Sequence, residues 1–437
     1  MLDNKHRLFT IFAKNNEMSN KIDISVSSEI GDLQAVILHS PGAEVENMTP
    51  QNAERALYSD ILNLSVASKE YAQFSGVLKK LTTTFEVKDL LFDILENEKR
   101  KETLIKRILK NENIEAYEHH LTRLNNREIA NQLIEGGEKI VNNLTKFLDP
   151  DRFMLKPLHN FFFMRDASIS VNNKVLIAQM ANQVRVRESI IMESIFDFHP
   201  RFNTTTINPQ SIAQYTQDLH IEGGDVLIAR DDILLIGLGP RTTSQGVDFI
   251  IECLKETKQK KHIIVQELPH SPESFIHLDM AFTFLDKDKC MIYEPVIMQA
   301  NKYKTIHITI DNGQLVNIKE ITNILSGLKS LGMDLQPIIC GGKANIYASE
   351  REQWHSGTNF FAVGPGKIIG YGRNEHTIGE LSKHGFDVLP ANEVLSGEID
   401  IHKHQKYVVT IEGSELARGG GGARCMSMPI NRSKVDW

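Results

Sequence analysis

The chain has 437 residues, of which 41% are hydrophobic and 24% are charged, and these values are typical of a globular protein with a sizeable core. The net charge of −7 and the lack of a long basic run argue against nucleic acid as a partner. No stretch reaches the roughly 18 continuous apolar residues that a membrane span needs. No signal peptide is recognisable, so we expect a soluble, cytoplasmic protein that does not bind a membrane.

The four cysteines are widely spaced. Cys253, Cys290, Cys340 and Cys425 are separated by 37, 50 and 85 positions, so no C-x-x-C zinc or redox pair is present. This usage is typical of a reducing compartment, where each thiol is a small buried hydrophobe or a reactive thiolate.

We expect the chain to divide into three parts. Residues 1–24 are interpreted as an N-terminal extension, either disordered or partly upstream of the true start. Residues 90–149 contain no proline and are dense in Glu, Lys, Asn and Leu, which predicts an inserted all-helical subdomain. Residues 25–89 and 150–437 are assigned to an α/β catalytic domain. The apolar residues at helical spacing in the insertion are Leu104, Ile105, Ile108, Leu109, Ile129, Leu133 and Ile134.

Outside this insertion, short apolar runs alternate with helix-like segments. The predicted strands are 35–38, 85–87, 226–228, 233–236, 263–265 and 337–339. The predicted helices include 243–256 and a second one with the apolar stripe Ile318, Ile321, Leu325 and Leu328. Several strands end in glycine-rich or acidic turns. This recurring unit indicates an α/β fold, a pseudo-symmetric barrel or propeller with its site where the loops converge.

The last part of the chain holds Arg418, the glycines 419–422, Arg424 and Cys425. Four consecutive glycines fit a tight turn, a close approach to a ligand, or a moving loop. They do not form a phosphate loop, because no Gly-Lys-Ser/Thr follows them. Arg424 could favour a thiolate at the neighbouring cysteine. Taken alone, the segment also fits a flexible loop with an inert cysteine.

Three other motifs carry acidic residues, and the first of them also holds a histidine. In a strand, His277-Leu278-Asp279 would place an imidazole and a carboxylate on one face. Glu222-Gly223-Gly224-Asp225 precedes an apolar strand, and residues 160–166 join three phenylalanines to polar ends. Each motif alone fits a solvated turn, a core segment or a structural ion pair. Together, a cysteine, a histidine and several acids suit nucleophilic attack on a guanidinium held by bidentate hydrogen bonds.

Read in order along the chain, these motifs resemble the arginine deiminase family of guanidine-modifying enzymes. The resemblance runs from about Ser25 to the C-terminus and includes residues 28–31, 39–42, 239–243 and 424–429. It implies a five-bladed pseudo-symmetric α/β propeller with an inserted all-helical subdomain. The implied activity is that of a hydrolase that converts free L-arginine to L-citrulline and ammonia without a metal or an organic cofactor.

The resemblance also implies catalytic roles. Cys425 would be the nucleophile that forms an S-alkylthiouronium intermediate, and His277 would be the general acid and base. Asp166 and Asp279 would bind the guanidinium nitrogens. Glu222 would orient and charge the histidine.

Five residues are assigned to substrate binding: Asn160, Arg185, Arg241, Arg418 and Arg424. The first three match positions around the substrate carboxylate, which favours a free amino acid over agmatine or peptidyl arginine. The last two are included because many bacterial members carry an arginine five residues before the cysteine, where this chain has Gly420. We expect Arg418 or Arg424 to take over that contact.

Two other functions are compatible with the sequence. An amidinotransferase would use the same chemistry but pass the amidino group to an amine, and a non-catalytic protein on this fold would only bind arginine. Arginine incubated with and without glycine would separate the first alternative from a hydrolase. The sequence leaves a homo-oligomer open.

Overall fold

The computed structural model describes residues 21–211 and 218–437. Most of the predicted N-terminal extension, residues 1–20, therefore lies outside the described residues. The rest of it is folded, because Ile22–Asp23 pairs in parallel with Phe202–Asn203 and Ile24 is buried in a large apolar cluster. Residues 22–24 thus belong to the main fold.

Strands and helices alternate along the described chain. The strands are β1 (Ile22–Asp23), β2 (Leu33–Leu38), β3 (Thr83–Glu86), β4 (Gly137–Glu138), β5 (Phe153–Leu155), β6 (Ser168–Val171), β7 (Lys174–Ile177), β8 (Phe202–Asn203), β9 (Thr205–Ile207), β10 (Val226–Arg230), β11 (Ile233–Leu238), β12 (Lys261–Glu267), β13 (Phe282–Asp286), β14 (Lys289–Ile292), β15 (Thr305–Asp311), β16 (Gln314–Ile321), β17 (Gln336–Ile339), β18 (Phe361–Gly364), β19 (Lys367–Tyr371), β20 (Asp387–Pro390), β21 (Tyr407–Ile411) and β22 (Met428–Arg432). The α-helices are Ala43–Glu46, Pro50–Ala53, Leu64–Leu81, Val87–Leu95, Glu98–Glu112, Glu118–Leu121, Asn126–Glu135, Leu144–Leu148, Val186–Phe198, Ser244–Lys255, Glu294–Ile297, Ile324–Ser330, Ile346–Trp354, Glu375–Lys383 and Ala391–Ser396. Within the described ranges, no helix has both the length and the apolar character to cross a membrane.

Five sheets share one arrangement of strands. In each, an antiparallel pair is joined by a parallel third strand; the sets are β22-β2-β3, β6-β7-β9, β10-β11-β12, β13-β14-β17 and β18-β19-β21. A parallel partner needs a crossover connection, and at least one helix lies between the two parallel strands in every case. The expected α/β class is confirmed. No sheet closes on itself within the part of the chain that the structure describes.

The two ends of the described chain meet in one of these sheets. Met428 in β22 pairs antiparallel with Ile37 in β2. Because Cys425 lies in the turn just before β22, this pairing anchors the cysteine loop to the sheet.

The predicted helix with the stripe Ile318, Ile321, Leu325 and Leu328 is wrong over its first half. Residues 314–321 form β16, an edge strand antiparallel to β15, and the helix begins only at Ile324. Asn312 and Gly313 have φ values of 47° and 75°, the geometry of a two-residue hairpin turn that directs the chain into a strand.

Helices occupy most of the predicted insertion, residues 90–149. All the apolar residues at helical spacing there are buried. Their cluster also contains Ile190 and Ile191 of the helix Val186–Phe198, so this segment shares a core with the neighbouring domain. The segment is not wholly helical, because β4 pairs with β5. Its status as a separate subdomain stays a prediction.

Candidate active site

A cavity of about 460 Å³ lies where several loops converge. Seven of the ten residues that the sequence assigns to catalysis or substrate binding line it: Asn160, Asp166, Arg185, Arg241, His277, Arg418 and Cys425. The thiol and the imidazole therefore face one space, although they are far apart in the chain. Glu222 and Asp279 are not lining residues, but Glu222 contacts His277 and Asp279 contacts Cys425.

Cys425 is buried in the turn before β22. Its sulfur accepts a hydrogen bond from Asn359 Nδ2 at 3.2 Å and lies 3.7 Å from Asp279 Oδ2. Its carbonyl oxygen accepts the Arg165 backbone N–H at 2.9 Å. The backbone N–H groups of Arg424 and Cys425 both donate to Asn359 Oδ1. The nucleophile loop is thus fixed at its backbone and at its sulfur.

Burial raises the pKa of the Cys425 thiol well above its ordinary value, and the carboxylates of Asp279 and Asp166 raise it further. Arg424 lowers it, as the sequence suggests, but with less effect. That guanidinium is already paired with Glu29 and Asp279. Without a cation in the cavity, the thiol is therefore protonated at neutral pH.

Glycines let the loop preceding Cys425 turn and pack closely. Gly420 has a φ of +83°, a conformation that residues with a side chain rarely adopt. A Cβ on Gly421 would lie only 2.5 Å from the ring of Phe163. The glycine run therefore forms a closely packed wall of the cavity.

His277 is buried between carboxylates. Its Nε2 lies 3.0 Å from Glu222 Oε2, and its Nδ1 lies 3.7 Å from Asp166 Oδ1. Burial opposes protonation, but Asp166, the hydrogen bond to Glu222 and the charge of Asp225 raise the pKa of His277 to about 9. Burial likewise opposes ionisation of Glu222, yet the hydrogen bond to His277 and the charge of Arg241 hold its pKa at about 2. The pair is an imidazolium and a carboxylate at neutral pH.

His277 and Asp279 do not lie on one strand, so that prediction is wrong. His277 precedes a 3-10 helix formed by Leu278–Met280, which contains Asp279. The Leu278 N–H donates to Asp225 Oδ1 at 2.9 Å instead of to a neighbouring strand. The two side chains nevertheless converge on the same site, one beside Asp166 and the other beside the sulfur.

Asp166 and Asp279 each keep one buried oxygen without a hydrogen-bond partner within the described residues. Oδ2 of Asp166 accepts from Arg185 Nη1 at 2.6 Å, and Oδ2 of Asp279 accepts from Arg424 Nη1 at 2.8 Å. Oδ1 of each acid has no donor. A buried carboxylate oxygen without a donor is costly, and a planar cation with several N–H groups would satisfy both oxygens.

The two arginines predicted to bind the substrate carboxylate differ in their ion pairs with carboxylates of the protein. Arg185 is buried and donates to Asp166 and, through Nε and Nη2, to Glu188. Arg241 is more exposed, and its only ion pair is a 3.7 Å contact with Glu222 among the pairs found in the described residues. Arg241 is therefore the freer of the two cations for an incoming anion.

Arg418 and Arg424, which the sequence leaves equivalent, occupy different environments. Arg418 lines the cavity, its side chain is 37% exposed, and it pairs with Asp60 and Glu415. Arg424 is buried, does not line the cavity, and forms two 3.0 Å hydrogen bonds with Glu29. Only Arg418 is placed to reach a ligand in the cavity.

Sequence reasoning missed three residues that shape the site. Asn359 belongs to no recognisable motif. Glu188 lies three residues after Arg185, a helical pair spacing that could have suggested the observed contact. Glu29 lies in a motif quoted for the family, but nothing in the sequence links it to Arg424.

Asp166, Glu222 and His277 could also hold a metal ion, because one ligand atom from each lies within 4.8 Å of the others. However, Glu222 already hydrogen-bonds His277, and Asp166 already binds Arg185. A metal would have to replace these contacts. The arrangement suits proton transfer beside an organic cation better than metal ligation.

Comparisons with known proteins agree with this geometry. The arginine deiminase family profile matches residues 54–432. An arginine deiminase of Bacillus cereus is 33% identical over 435 residues, which covers 95% of this chain and 100% of that protein. One from Mycoplasma capricolum is 32% identical, covering 94% of this chain and 98% of that protein. The N-terminal domain of ArgZ, a cyanobacterial arginine dihydrolase solved with product, shares the fold with a TM-score of 0.51 at 14% identity, over 92% of this chain and 98% of that one. The chain therefore belongs to the arginine deiminase family.

Proposed function

We propose that this protein hydrolyses free L-arginine to L-citrulline and ammonia through a covalent S-alkylthiouronium intermediate on Cys425. The observation that carries the proposal is the single buried site where Cys425 and His277 meet two carboxylates with unsatisfied oxygens. Membership of the arginine deiminase family supports the same activity.

Binding of the guanidinium is the first step. Asp166 Oδ1 and Asp279 Oδ1 accept its N–H groups, which satisfies two buried oxygens. The cation offsets the negative charges that raise the pKa of the Cys425 thiol. The thiol proton therefore passes to solvent water as substrate binds, and the thiolate forms beside the carbon that it attacks.

The chemistry then proceeds in two halves. The sulfur bonds to the guanidinium carbon, and the His277 imidazolium protonates one terminal nitrogen, so that ammonia leaves as the C–N bond breaks. The neutral imidazole next takes a proton from water, whose oxygen attacks the same carbon. Collapse of this second adduct breaks the C–S bond while the proton of its hydroxyl group passes to solvent water, which releases neutral citrulline and restores the thiolate.

The other end of the substrate carries a carboxylate. We assign its binding to Arg241, and Arg185 and Asn160 line the same cavity. A site that binds a carboxylate favours a free amino acid as the substrate. Many bacterial members contact the substrate through an arginine at the position of Gly420. We assign this contact to Arg418 and not to Arg424, since Arg418 lines the cavity and Arg424 is buried against Glu29.

The repeated sheets support a finer description of the fold. We propose that the five three-stranded sets are blades of a five-bladed α/β propeller with the site at its centre. Their common order, an antiparallel pair followed by a parallel strand after a helix, supports this assignment. The helices within residues 90–149 would then be an insertion between the set β22-β2-β3 and the set β6-β7-β9.

Colorimetric detection of citrulline tests the activity. Wild-type protein with arginine alone is expected to release citrulline and ammonia, whereas Cys425→Ala releases none. Cys253→Ala is the matched control, because Cys253 is a free thiol outside the cavity. Dialysis against a chelator of divalent metals is expected to leave the rate unchanged. Citrulline from Cys425→Ala at the wild-type rate would overturn the mechanism.

The same assay separates the alternative functions. Ornithine that appears only when glycine is added would indicate an amidinotransferase. Binding of arginine without turnover by freshly reduced protein would indicate a non-catalytic binding protein.

A further inference from the structure

Asn359 lies just before β18 and is buried beneath the cysteine loop. Its Oδ1 accepts hydrogen bonds from the backbone N–H groups of Arg424 at 2.9 Å and Cys425 at 3.3 Å. Its Nδ2 donates to Cys425 Sγ at 3.2 Å and to the Asp279 carbonyl oxygen at 3.3 Å. One amide thus contacts both the backbone and the reacting atom of the proposed nucleophile.

The orientation of this amide is determined by its partners. The two backbone N–H groups of Arg424 and Cys425 can only donate, so they require the oxygen of Asn359 on their side. The Asp279 carbonyl can only accept, so it requires the nitrogen on the other side. The N–H groups of Asn359 must therefore face the sulfur.

We propose that Asn359 is a catalytic residue of this site: its Nδ2–H stabilises the Cys425 thiolate while its Oδ1 fixes the loop that presents the sulfur. This inference rests on the proposed function, because it gives Asn359 a part in the same reaction. No covalent change occurs at the amide. It contributes a hydrogen bond that is stronger to a thiolate than to a thiol.

The surroundings of the sulfur explain why such a donor is needed. The charged and titratable groups near Cys425 are Asp166, Asp279, His277, Arg424 and Tyr371. The two aspartates oppose a thiolate, and Arg424 is engaged by Glu29 and Asp279. Asn359 is a donor that keeps its N–H groups at every pH in the working range.

The donor matters most in the second half of the reaction. The guanidinium charge assists formation of the thiolate in the first half. When citrulline is released, the product is neutral, so no substrate cation stabilises the departing sulfur. The Asn359 N–H remains in place at that step, and its loss should therefore slow turnover more than substrate binding.

Asn359→Asp tests the inference. Aspartate keeps the size of the side chain and an oxygen for the two backbone donors, but it places a carboxylate oxygen instead of an N–H against the sulfur. Iodoacetamide alkylation of Cys425, followed by mass spectrometry of its peptide across a pH series, reports the thiolate directly. We expect the pH midpoint of Cys425 alkylation to rise by about one unit or more. We also expect kcat to fall about 10- to 100-fold, with KM changed less than about threefold.

Asn374→Asp is the matched control. Asn374 is also a buried amide, and it donates to the His355 carbonyl at 3.0 Å, but it does not line the cavity. Its alkylation profile should match the wild type, which would show that a new buried acid alone does not shift Cys425. If Asn359→Asp does not fold, Asn359→Ala gives the decisive profile, because it removes the donor without adding charge.

The outcomes separate this inference from the proposed function. An unchanged alkylation profile and kcat in the folded variant would overturn the role of Asn359. A shifted profile together with no citrulline from wild-type protein would overturn the proposed function, but would leave the N–H···S contact supported.

Discussion

Arg424 Nη1 donates to Asp279 Oδ2 at 2.8 Å, and the same carboxylate oxygen lies 3.7 Å from the Cys425 sulfur. The arginine therefore balances the acid closest to the nucleophile. Glu29 holds its guanidinium through two further hydrogen bonds. The charge next to the sulfur is thus set by a buried chain of residues that begins near the N-terminal end of the described structure.

Glu29→Gln should destabilise the protein by about 3–5 kcal/mol at pH 7, because it leaves a buried guanidinium without one of its two carboxylates. Burial opposes ionisation of Glu29, but Arg424 and Arg165 lower its pKa from 4.5 to about 2. A carboxyl group whose pKa is lower in the folded state stabilises the protein at pH values above its ordinary pKa. This stabilisation is lost as the pH falls through the folded-state pKa. The difference between variant and wild type should therefore shrink between pH 4.5 and about 2. Urea unfolding across this range measures it.

Glu102→Gln is the control for this experiment. Glu102 is an exposed acid whose contact with Lys106 is 3.9 Å long, so its loss should change stability by less than about 0.5 kcal/mol. If Glu29→Gln unfolds at the same urea concentration as wild type, the buried pair of Glu29 and Arg424 does not stabilise the fold.

Arg418→Ala should impair catalysis and leave stability nearly unchanged. Its ion pairs with Asp60 and Glu415 are partly exposed, and such pairs contribute about 0–1 kcal/mol. Removal of a charged contact to the substrate should lower kcat/KM about 10- to 100-fold. Steady-state kinetics together with thermal unfolding measures both effects. Wild-type kinetics in this variant would show that Arg418 does not contact the substrate.

The residues that we propose as catalytic could be selected from the sequence, but their surroundings could not. Cys425, His277 and Asp166 lie in motifs with distinctive local patterns. Arg418 and Arg424 carry the same charge in one glycine-rich segment, and only packing against Glu29 distinguishes them. That contact joins residues at opposite ends of the chain, so no local pattern records it.

The fold shows the same limit. The apolar runs correctly predicted strands such as β10, β11 and β12, because buried strands are locally apolar. The apolar residues of β16 fit a helical spacing, and only the Asn312-Gly313 turn signal favours a strand at that point. The pairing of β22 with β2 depends on contacts across the whole chain, which a single sequence does not display.

Glu222→Gln should move the alkaline limb of the kcat/KM profile to lower pH. Burial opposes protonation of His277, but Asp166 and Glu222 raise its pKa to about 9. The acid form of the imidazole is therefore lost only as pH rises through about 9 in wild type. Glutamine keeps an oxygen for the Ala181 N–H but removes the negative charge beside His277. The alkaline limb of kcat/KM should therefore lie about one pH unit or more lower than in wild type.

Glu252→Gln is the matched control, because Glu252 pairs only with Lys255 on the helix Ser244–Lys255, away from the cavity, among the ion pairs of the described residues. Its pH profile should superimpose on that of wild type. An alkaline limb that does not move in Glu222→Gln would mean that His277 is not the group that titrates.

Arg241→Leu should abolish the preference for arginine over agmatine, which lacks the carboxylate. Arg241 lines the cavity, and its nearest carboxylate is Glu222 at 3.7 Å, so its guanidinium is available to an anion. A charge-assisted pair contributes about 1.5–3 kcal/mol, so kcat/KM for arginine should fall about 10- to 100-fold while that for agmatine changes little. Arg230→Leu is the control, because Arg230 pairs with Asp232 and does not line the cavity. If Arg241→Leu keeps the wild-type ratio of kcat/KM for arginine to kcat/KM for agmatine, another residue binds the carboxylate. Arg185 would then be the next candidate.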